Sequence, residues 1–341
     1  MLPLMVFVVA GGGLLGLAYQ AYPDQVKTAF GWKDDYAGAG SGSVRIVIRP
    51  GQVGGDVADT LAAAGVTKTR QAFFGLLLRT RPEPKLMPGT YRLAGHQSAA
   101  HALAQLEDPK NRIIASVAIP EGSTVAQILQ LTSENTGVPL ADLKAAARDR
   151  TALGVPKAAP NLEGWLFPAT YDFQPGTTAP RMLAAMTKRM RQSLDAQHVA
   201  PADRLRVLTL AGLVQKEGNG TDDAKVARVF LNRIAKKIPL QSDATVSYGA
   251  GGTTVLPTER EYAQKNGYNT YRKAGLPIGP ISNPGDVAIK AALHPAAGKW
   301  LYFVTVNLAT GETVFSTTGA QHEKAAAQFR AWLAKHPSYN N

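Results

Sequence analysis

The sequence predicts an α+β fold: an N-terminal transmembrane helix, a small module of strands and helices, and a larger mixed α+β domain. The first prediction rests on the apolar run of residues 1–22. The second rests on a strand-like alternation that begins at Val44 and is followed by helical spacing. The third rests on successive helical periodicities beyond residue 180, followed by a hairpin pattern around Ala309. Helices and strands are therefore expected in both folded parts.

Residues 1–22 are predicted to be an uncleaved membrane anchor. They carry no charged side chain, and a helix across a bilayer needs about 20 apolar residues. The alternative is a cleaved signal peptide, which has a basic start, a shorter apolar core and a small-x-small cleavage site. No Lys or Arg precedes this run and no clean cleavage site follows it, so we favour the anchor. Charge counting leaves its orientation open.

Composition narrows the functional classes. The chain has no cysteine, which excludes disulfides, a thiolate nucleophile and a cysteine metal site. Its histidines are dispersed and it has no H-E-x-x-H motif or P-loop, so neither a metal nor a cofactor is expected. A net charge of +12 favours a polyanionic partner. Because the basic residues are scattered and not interleaved with aromatics, nucleic acid is disfavoured relative to anionic lipid or an acidic wall polymer.

Residues 23–43 are predicted to be a linker, because Asp34 to Ser43 is small, polar and rich in glycine. Residues 44–107 are predicted to form a separate strand–helix–helix–strand module that closes with one more helix. Its strands are expected from Val44 and over Thr90–Leu93, and its helices over Asp56–Ala64, over Thr69–Arg79 and from Ser98. A connecting subdomain, residues 108–160, is expected to open with a similar strand, turn and helix.

Residues 161–341 are predicted to form the larger domain. Its helices are expected at 181–197, 203–216 and 222–237, with Thr221 as the N-cap of the last. A loop-rich stretch follows from Leu240 to Asn283, and Pro284 is expected at the start of a short helix. A hairpin at 300–316 and a final helix at 320–335 complete the domain.

Glu217 is the candidate acid that the residue pattern offers. Val207, Leu210 and Val214 fall on one face of a helix, and Glu217 extends that face at its end. A carboxyl withdrawn from water has a raised pKa, which suits a general acid near neutral pH. The alternative is a frayed helix end, in which Glu217 is solvated and Gly218 caps the helix. The pattern by itself favours this alternative, and it also indicates that Lys216 points elsewhere.

Two further segments concentrate polar groups that could orient a sugar. Residues 240–249 combine amide, hydroxyl, carboxyl and phenol groups in what reads as a turn-rich stretch. Residues 269–271 and 275–284 continue this character, and their alternating Pro and Gly predict a rigid wall. Ordinary turn chemistry explains each segment equally well when it is taken alone.

Several long motifs, taken together, resemble the bacterial endolytic murein transglycosylase family (MltG, YceG-like). The motifs are LEGWLFPATY, LAGLVQKEGN, VARVFLNRI, LQSDATVSYG, NTYRKAGLPIGPISNPG, AALHP and WLYFVT. Their order and spacing follow the family from about Val44 to the C-terminus. The resemblance implies a LysM-like module at 44–107 and a transglycosylase catalytic domain at 161–341. It also implies a single-pass inner-membrane anchor with a cytoplasmic N-terminus and an extracytoplasmic catalytic domain.

The resemblance also assigns site residues. The family's E-K-E segment reads Gln215-Lys216-Glu217 here, so Glu217 is expected to be the catalytic acid. The replacement of the first carboxylate by Gln215 weakens any scheme with two neighbouring acids. The family's later cleft motifs imply substrate-binding roles for Gln241, Asp243, Thr245, Tyr248, Asn269, Tyr271, Ser282 and Asn283.

The activity implied is non-hydrolytic cleavage of the bond between N-acetylmuramic acid and N-acetylglucosamine, with closure of a 1,6-anhydro ring. The implied partners are peptidoglycan glycan strands and the cytoplasmic membrane, and an association with wall-elongation synthases is left open. A muramidase would instead need a second carboxylate, which Asp243, Glu163, Asp222 or Asp223 could supply. Asp243 could also orient the substrate, and Glu163 is expected to hold the domain's own structure. A non-catalytic wall-binding scaffold is the other alternative.

Overall fold

The computed structural model describes residues 35–252 and 257–339 of the 341-residue chain. Contacts divide these residues into two compact units. The first unit runs to Ala115 and includes Gln174–Gly176, and the second comprises Ser116–Phe173 and the residues from Thr177 onward. Both contain helices and strands, as the sequence predicts.

The first unit is a three-stranded antiparallel sheet covered by three helices. Its elements are β1 (Ser41–Ile48), α1 (Gly54–Ala63), α2 (Arg70–Arg79), β2 (Gly89–Gly95), α3 (Ala99–Glu107) and β3 (Arg112–Ile113). The central strand is β2, which pairs Tyr91 with Ile46 of β1 and with Arg112 of β3. Ile46 and Ile48 are buried while Val47 between them is exposed, so the strand presents one face to the core.

The predicted order of strands and helices in this unit is confirmed. Thr69 and Ser98, predicted as the first residues of their helices, are the N-caps one position before them, and each side chain accepts a backbone hydrogen bond from the first turn. The structure adds β3, a two-residue strand whose sequence has too little alternation to predict it.

The end of the predicted flexible linker is instead tied to this unit. The carboxylate of Asp35 accepts hydrogen bonds from the backbone N–H of Ala99 at 3.1 and 2.9 Å. The carbonyl of Gly38 accepts the N–H of Ser98 at 2.9 Å, and β1 already begins at Ser41. A glycine-rich composition predicts flexibility, but it cannot register partners about sixty residues away in the sequence.

The second unit is mainly helical. Its helices are α4 (Val125–Thr136), α5 (Leu140–Arg148), α6 (Ala179–Ala196), α7 (Arg204–Glu217), α8 (Asp223–Ala235), α9 (Asp243–Gly249), α10 (Glu259–Ala263), α11 (Asp286–Leu293) and α12 (Gly319–Lys335). Strands β4 (Ala115–Ala118) and β5 (Thr170–Phe173) form one pair, and β6 (Tyr302–Asn307) and β7 (Glu312–Ser316) form the predicted antiparallel hairpin. Helices α4 and α5, within the predicted connecting subdomain, share one hydrophobic core with α6, α7 and α8.

Helix α7 runs through the middle of this core. Every residue from Val207 to Val214 is buried, so the helix is enclosed on all sides and not on the single face that the sequence predicts. It packs against α8, α9 and α11. At Gly212 an added Cβ would lie 3.2 Å from the carbonyl oxygen of Ser282, so the small residue allows this close approach.

Three local predictions in this unit are corrected. Helix α8 begins at Asp223, and Asp222 takes the N-cap position in place of Thr221 because the Asn219 side chain binds the backbone of both residues before the helix. Helix α11 begins at Asp286, after Pro284. The segment predicted as turn-rich contains α9, a helix that short local patterns do not distinguish from a turn.

The predicted anchor, residues 1–22, lies outside the described residues. Among those that are described, no helix has the length and apolar character needed to cross a bilayer.

Candidate active site

Glu217 is the last residue of α7, and its carboxyl is withdrawn from water, as one sequence-based alternative expects, and is not solvated at a frayed helix end. The helix ends there because Gly218 leaves helical geometry for an extended conformation (φ −88°, ψ 170°). A Cβ at Gly218 would lie 2.1 Å from Oδ1 of the buried Asp223, so this position accepts only glycine without rearrangement. The helix end is therefore ordered, and the Glu217 side chain lines a pocket instead of extending into bulk water.

Ser242 holds the Glu217 carboxyl. Its hydroxyl donates a hydrogen bond to Oε1 of Glu217 at 2.6 Å, and the serine is itself 3% exposed. The preceding residue, Gln241, has a left-handed backbone (φ 52°), which is uncommon for a residue other than glycine. The backbone N–H of Gln241 and of Ser242 both bind Thr270, at 3.2 and 3.1 Å, so the bend is fixed from behind.

The sequence pattern did not single out Ser242, although it lies between two predicted site residues. Its only distinguishing signal is that position, because a serine in a polar segment has many ordinary roles.

The electrostatic setting favours a protonated Glu217. Burial raises the pKa of its carboxyl, the hydrogen bond from Ser242 lowers it, and the negative charge of Asp243 raises it further. Burial is the largest of these effects, and the pKa is raised overall. A carboxyl that keeps its proton closer to neutral pH can act as a general acid.

Asp243 is bound by two phenols. Its Oδ1 accepts hydrogen bonds from the hydroxyls of Tyr262 at 2.7 Å and Tyr271 at 2.6 Å. The two tyrosine rings meet edge to face, with centroids 4.9 Å apart. Burial and the bond to Asp243 raise the pKa of Tyr271, so it remains a neutral donor. This cluster fixes the position of Asp243, whose charge raises the pKa of Glu217.

The pocket has a volume of about 310 Å³, which falls at the small end of ligand-binding pockets, about 300–1000 Å³. Its lining is mixed polar and apolar, and comprises Glu217, Val229, Phe230, Arg233, Leu240, Gln241, Ser242, Tyr271, Phe303 and His322. Arg233, Phe303 and His322 come from α8, β6 and α12, and no sequence pattern connected them to Glu217. Only packing of these distant segments brings them together.

Of the eight predicted substrate-binding residues, four are at least partly exposed and four are buried. Gln241 and Tyr271 line the pocket with Glu217, and Asp243 lies directly behind Tyr271. The hydroxyl of Tyr248 accepts a hydrogen bond from the Asn161 amide at 3.1 Å, and its ring packs edge to face on Tyr268.

The other predicted residues are at most 1% exposed and use their polar groups inside the protein; they are Thr245, Asn269, Ser282 and Asn283. Thr245 donates to the carbonyl of Ser242 at 2.7 Å, and Ser282 donates to the carbonyl of Gly212 at 3.0 Å. The amide of Asn269 donates to the carbonyls of residues 262 and 264 at 3.0 and 2.8 Å. These side chains shape the segments around the pocket and are not on its accessible surface.

Glu163 is a second carboxyl withdrawn from water. Its oxygens accept the backbone N–H of Val125, the first residue of α4, at 3.0 and 3.1 Å, and the amide of Asn283 at 2.7 Å. Burial raises its pKa to about 7 against the lowering effect of these bonds. Glu163 is 3% exposed and is not part of the pocket lining, in agreement with the structural role expected for it.

Lys216 faces away from Glu217, as the helical spacing predicts. It lines a separate, more open groove with Glu121, Gln127 and Gln130. Across the described ranges, no group of three or more His, Asp or Glu side chains is arranged to hold a metal ion.

This is an α+β protein with one carboxyl of raised pKa in a pocket lined by hydroxyl, amide and aromatic side chains. These are features of enzymes that use acid catalysis on a polar substrate. The family model described as "YceG-like family" matches residues 46–328. The chain therefore belongs to the YceG-like family, which confirms the resemblance found in the sequence motifs.

Curated relatives carry the name endolytic murein transglycosylase. The protein of Bacillus subtilis (strain 168) is 29% identical over 308 residues, which are 84% of this chain and 85% of that protein. The protein of Streptococcus pneumoniae (strain D39) is 29% identical over 309 residues, covering 80% of this chain and 56% of the longer relative. A 2.6 Å crystal structure of a yceG-like protein from Listeria monocytogenes matches with a TM-score of 0.55 and 28% identity, covering 83% of this chain and 99% of that one.

Proposed function

We propose that this chain is a peptidoglycan lytic transglycosylase that cuts the β-1,4 bond between N-acetylmuramic acid and N-acetylglucosamine inside a glycan strand. The observation that carries the proposal is the Glu217 carboxyl, which has a raised pKa, is held by Ser242 and lines a pocket. The names of the relatives supply the substrate class.

In the first step Glu217 acts as a general acid. The hydroxyl of Ser242 binds Oε1, which leaves Oε2 to carry the proton toward the glycosidic oxygen. As the bond from the muramic anomeric carbon to this oxygen breaks, positive charge develops on the sugar and the N-acetylglucosamine leaves as an alcohol. The negative charge of Asp243 lies near enough to raise the pKa of Glu217, and it also favours the positive charge of this transition state.

In the second step the same carboxylate acts as a base. It removes the proton from the C6 hydroxyl of the muramic residue, whose oxygen forms a bond to the anomeric carbon and closes the 1,6-anhydro ring. Glu217 thereby regains a proton, taken from the C6 hydroxyl, in place of the one that left on the N-acetylglucosamine alcohol, and no water is consumed. One carboxyl is sufficient because the nucleophile belongs to the substrate.

A muramidase mechanism is less well supported by the same pocket. Hydrolysis requires two carboxyl groups, about 5–5.5 Å apart in retaining enzymes and about 6.5–9.5 Å in inverting ones. Of the lining residues in the described part of the chain, Glu217 alone carries a carboxylate. The nearby Asp243 already accepts two phenol hydrogen bonds on Oδ1.

Mass spectrometry of the products tests the proposal. Incubation of purified protein with intact glycan strands should produce anhydro-muramyl ends at internal positions. Reducing muramyl ends alone would identify a hydrolase and overturn the proposed mechanism. Retained binding of strands without any cleavage would identify a scaffold.

The domain roles form part of the same proposal. Residues 44–107 are proposed as a LysM-like glycan-binding module, residues 108–160 as a connection and residues 161–341 as the catalytic domain. Gln241 and Tyr271 are proposed to contact the sugar, because they line the pocket beside Glu217. Direct contact is not proposed for Thr245, Asn269, Ser282 or Asn283, since these residues are buried.

Residues 1–22 are proposed to anchor the protein in the cytoplasmic membrane, with the catalytic domain on the outer side, where it would act on nascent strands. The support is their length and lack of charge. Deletion of residues 1–34 should move the protein from the membrane to the soluble fraction and retain cleavage of isolated strands. Crosslinking in cells would show whether the anchored form contacts wall-elongation synthases.

A further inference from the structure

The pocket that contains Glu217 also contains a guanidinium without a carboxylate partner. Arg233, on α8, lines this pocket, and no acidic side chain of the described residues forms an ion pair with it. The raised pKa of Glu217 likewise includes a contribution from Asp243 and none from Arg233. Arg233 is therefore not the counter-ion of the catalytic acid.

Arg233 is held rigidly by one edge of its guanidinium. Nε donates to the carbonyl of Leu301 at 2.6 Å, and Nη1 donates to the carbonyl of Leu240 at 2.8 Å. The group lies over the ring of Tyr302, 5.0 Å from its centroid, and this ring stacks in turn on His322 at 5.1 Å. The hydrogen bonds within the described residues use Nε and Nη1, which leaves Nη2 to a ligand.

A partly buried cation fixed in this way favours an anionic ligand. Burial lowers the pKa of Arg233, yet a guanidinium keeps its charge at neutral pH, so the cost of its partial desolvation remains. A ligand carboxylate would offset that cost and accept charge-assisted hydrogen bonds from Nη2. In peptidoglycan the carboxylates belong to the muramic residue, either on its own lactyl ether or on the stem peptide attached to it, since N-acetylglucosamine is uncharged.

We propose that Arg233 binds a carboxylate of the muramic residue and so sets the register of the strand against Glu217. This inference rests on the proposed transglycosylase function and adds the specificity determinant for it. The carboxylate is that of the lactyl ether in peptide-free strands, or one of the stem peptide in peptide-bearing strands. Because alternate sugars lack this anion, Arg233 would place the muramic anomeric carbon, and not that of glucosamine, beside the acid.

The experiment compares substrates as well as variants. Steady-state cleavage is measured on peptide-free strands with free or methyl-esterified lactyl carboxylates, and on peptide-bearing strands with free or amidated stem carboxylates. For wild type, neutralising the recognised carboxylate should raise KM about tenfold to a hundredfold with kcat little changed, which is the range for a hydrogen bond to a charged group. Arg233→Gln should lose most of this discrimination.

Arg228 offers a matched control on the same helix. It also binds main-chain carbonyls, with Nε donating to Ala296 at 2.6 Å and Nη2 donating to Pro295 at 3.4 Å, but it does not line the pocket. Arg228→Gln should keep the full discrimination between free and neutralised carboxylates. Thermal unfolding of both variants measures any loss of packing, and the wild-type substrate comparison stands even where a variant folds poorly.

The outcomes separate this inference from the proposed function. A higher KM for the neutralised substrate in one pair only, lactyl or stem, supports the inference and identifies which carboxylate is bound. Anhydro-muramyl products formed with equal KM from every substrate would overturn the role of Arg233 and leave the transglycosylase function standing. Absence of anhydro-muramyl products from all strands would overturn both.

Discussion

Two glutamates of the second unit, Glu163 and Glu217, are both withdrawn from water, and burial raises the pKa of both carboxyls. Their surroundings differ. Glu163 accepts the N–H of Val125 and the amide of Asn283 inside the protein, whereas Glu217 has one bond from Ser242 and lines a pocket. A raised pKa therefore does not by itself identify a catalytic acid. An acid also needs an oxygen that remains available to a substrate.

The largest expected effect is the loss of activity on replacement of Glu217. Glu217→Gln keeps the carbonyl oxygen that accepts from Ser242 but has no proton to transfer, so kcat should fall about 10²- to 10⁴-fold. The rate is measured as anhydro-muramyl ends formed per enzyme, with thermal unfolding as the control for folding. Cleavage by this variant at the wild-type rate would remove Glu217 from the mechanism.

The second prediction concerns stability. Glu163→Ala removes the acceptor of the Val125 N–H and of one N–H of the Asn283 amide, whose nitrogen still donates to the carbonyl of Ser123 at 2.9 Å; each lost bond should cost about 1–3 kcal/mol. The free energy of unfolding should therefore fall by about 2–5 kcal/mol, while kcat per folded molecule stays much closer to wild type than in Glu217→Gln. Urea unfolding followed by tryptophan fluorescence gives the first quantity. An unchanged unfolding midpoint would show that these bonds contribute little.

The third prediction uses the pH dependence of stability. The pKa of Glu163 is about 7 in the folded protein, against an ordinary value of 4.5, so the folded state retains a proton that the unfolded chain loses between these pH values. Its contribution is fully present below pH 4.5 and is lost as the pH rises toward about 7, by roughly 3 kcal/mol. Glu163→Gln mimics the protonated form and should lack this decline.

Urea unfolding of wild type and Glu163→Gln at several pH values between 4.5 and 8 checks the third prediction. The difference in unfolding free energy between the two proteins should change steadily across this range, in favour of the variant at higher pH. A constant difference would mean that Glu163 is ionised in the folded protein throughout.

The smallest expected effects are shifts, in opposite directions, of the pH at which kcat/KM declines. Wild-type kcat/KM should decline on the alkaline side, as Glu217 loses its proton. Ser242→Ala removes a bond that lowers the pKa of Glu217 and should move this decline to higher pH. Asp243→Asn removes a charge that raises the pKa and should move it to lower pH. Profiles of kcat/KM test both, with Glu163→Gln as the unshifted control; shifts in the same direction would contradict this electrostatic account.

Local pattern predicted much of the fold. The strand and helix order of the first unit, helix α7 to within one residue at its end, and the hairpin of β6 and β7 all follow from periodicity and turn chemistry. The errors fall where another segment intervenes. Asn219 binds the backbone of Thr221, where the cap is predicted, and Asp35, near the end of the predicted linker, binds the backbone of Ala99.

The candidate site was less predictable than the fold. Glu217 was found because it continues the apolar spacing of its helix and matches a family motif. Ser242, 25 residues away, and Arg233, on another helix, had no local signal. Conversely, Thr245 and Asn283 match polar motifs but use their polar groups inside the protein, where they support neighbouring segments.

The sequence by itself determined the family, the element types and the identity of the candidate acid, because these depend on residue order and on spacing along one helix or strand. Only the tertiary structure decided which of two glutamates with a raised pKa lines a pocket, which serine binds that glutamate and which arginine lines the same pocket. These relations join residues that are 16 to 120 positions apart in the chain. They depend on packing and on hydrogen-bond geometry in three dimensions, which a local pattern does not contain.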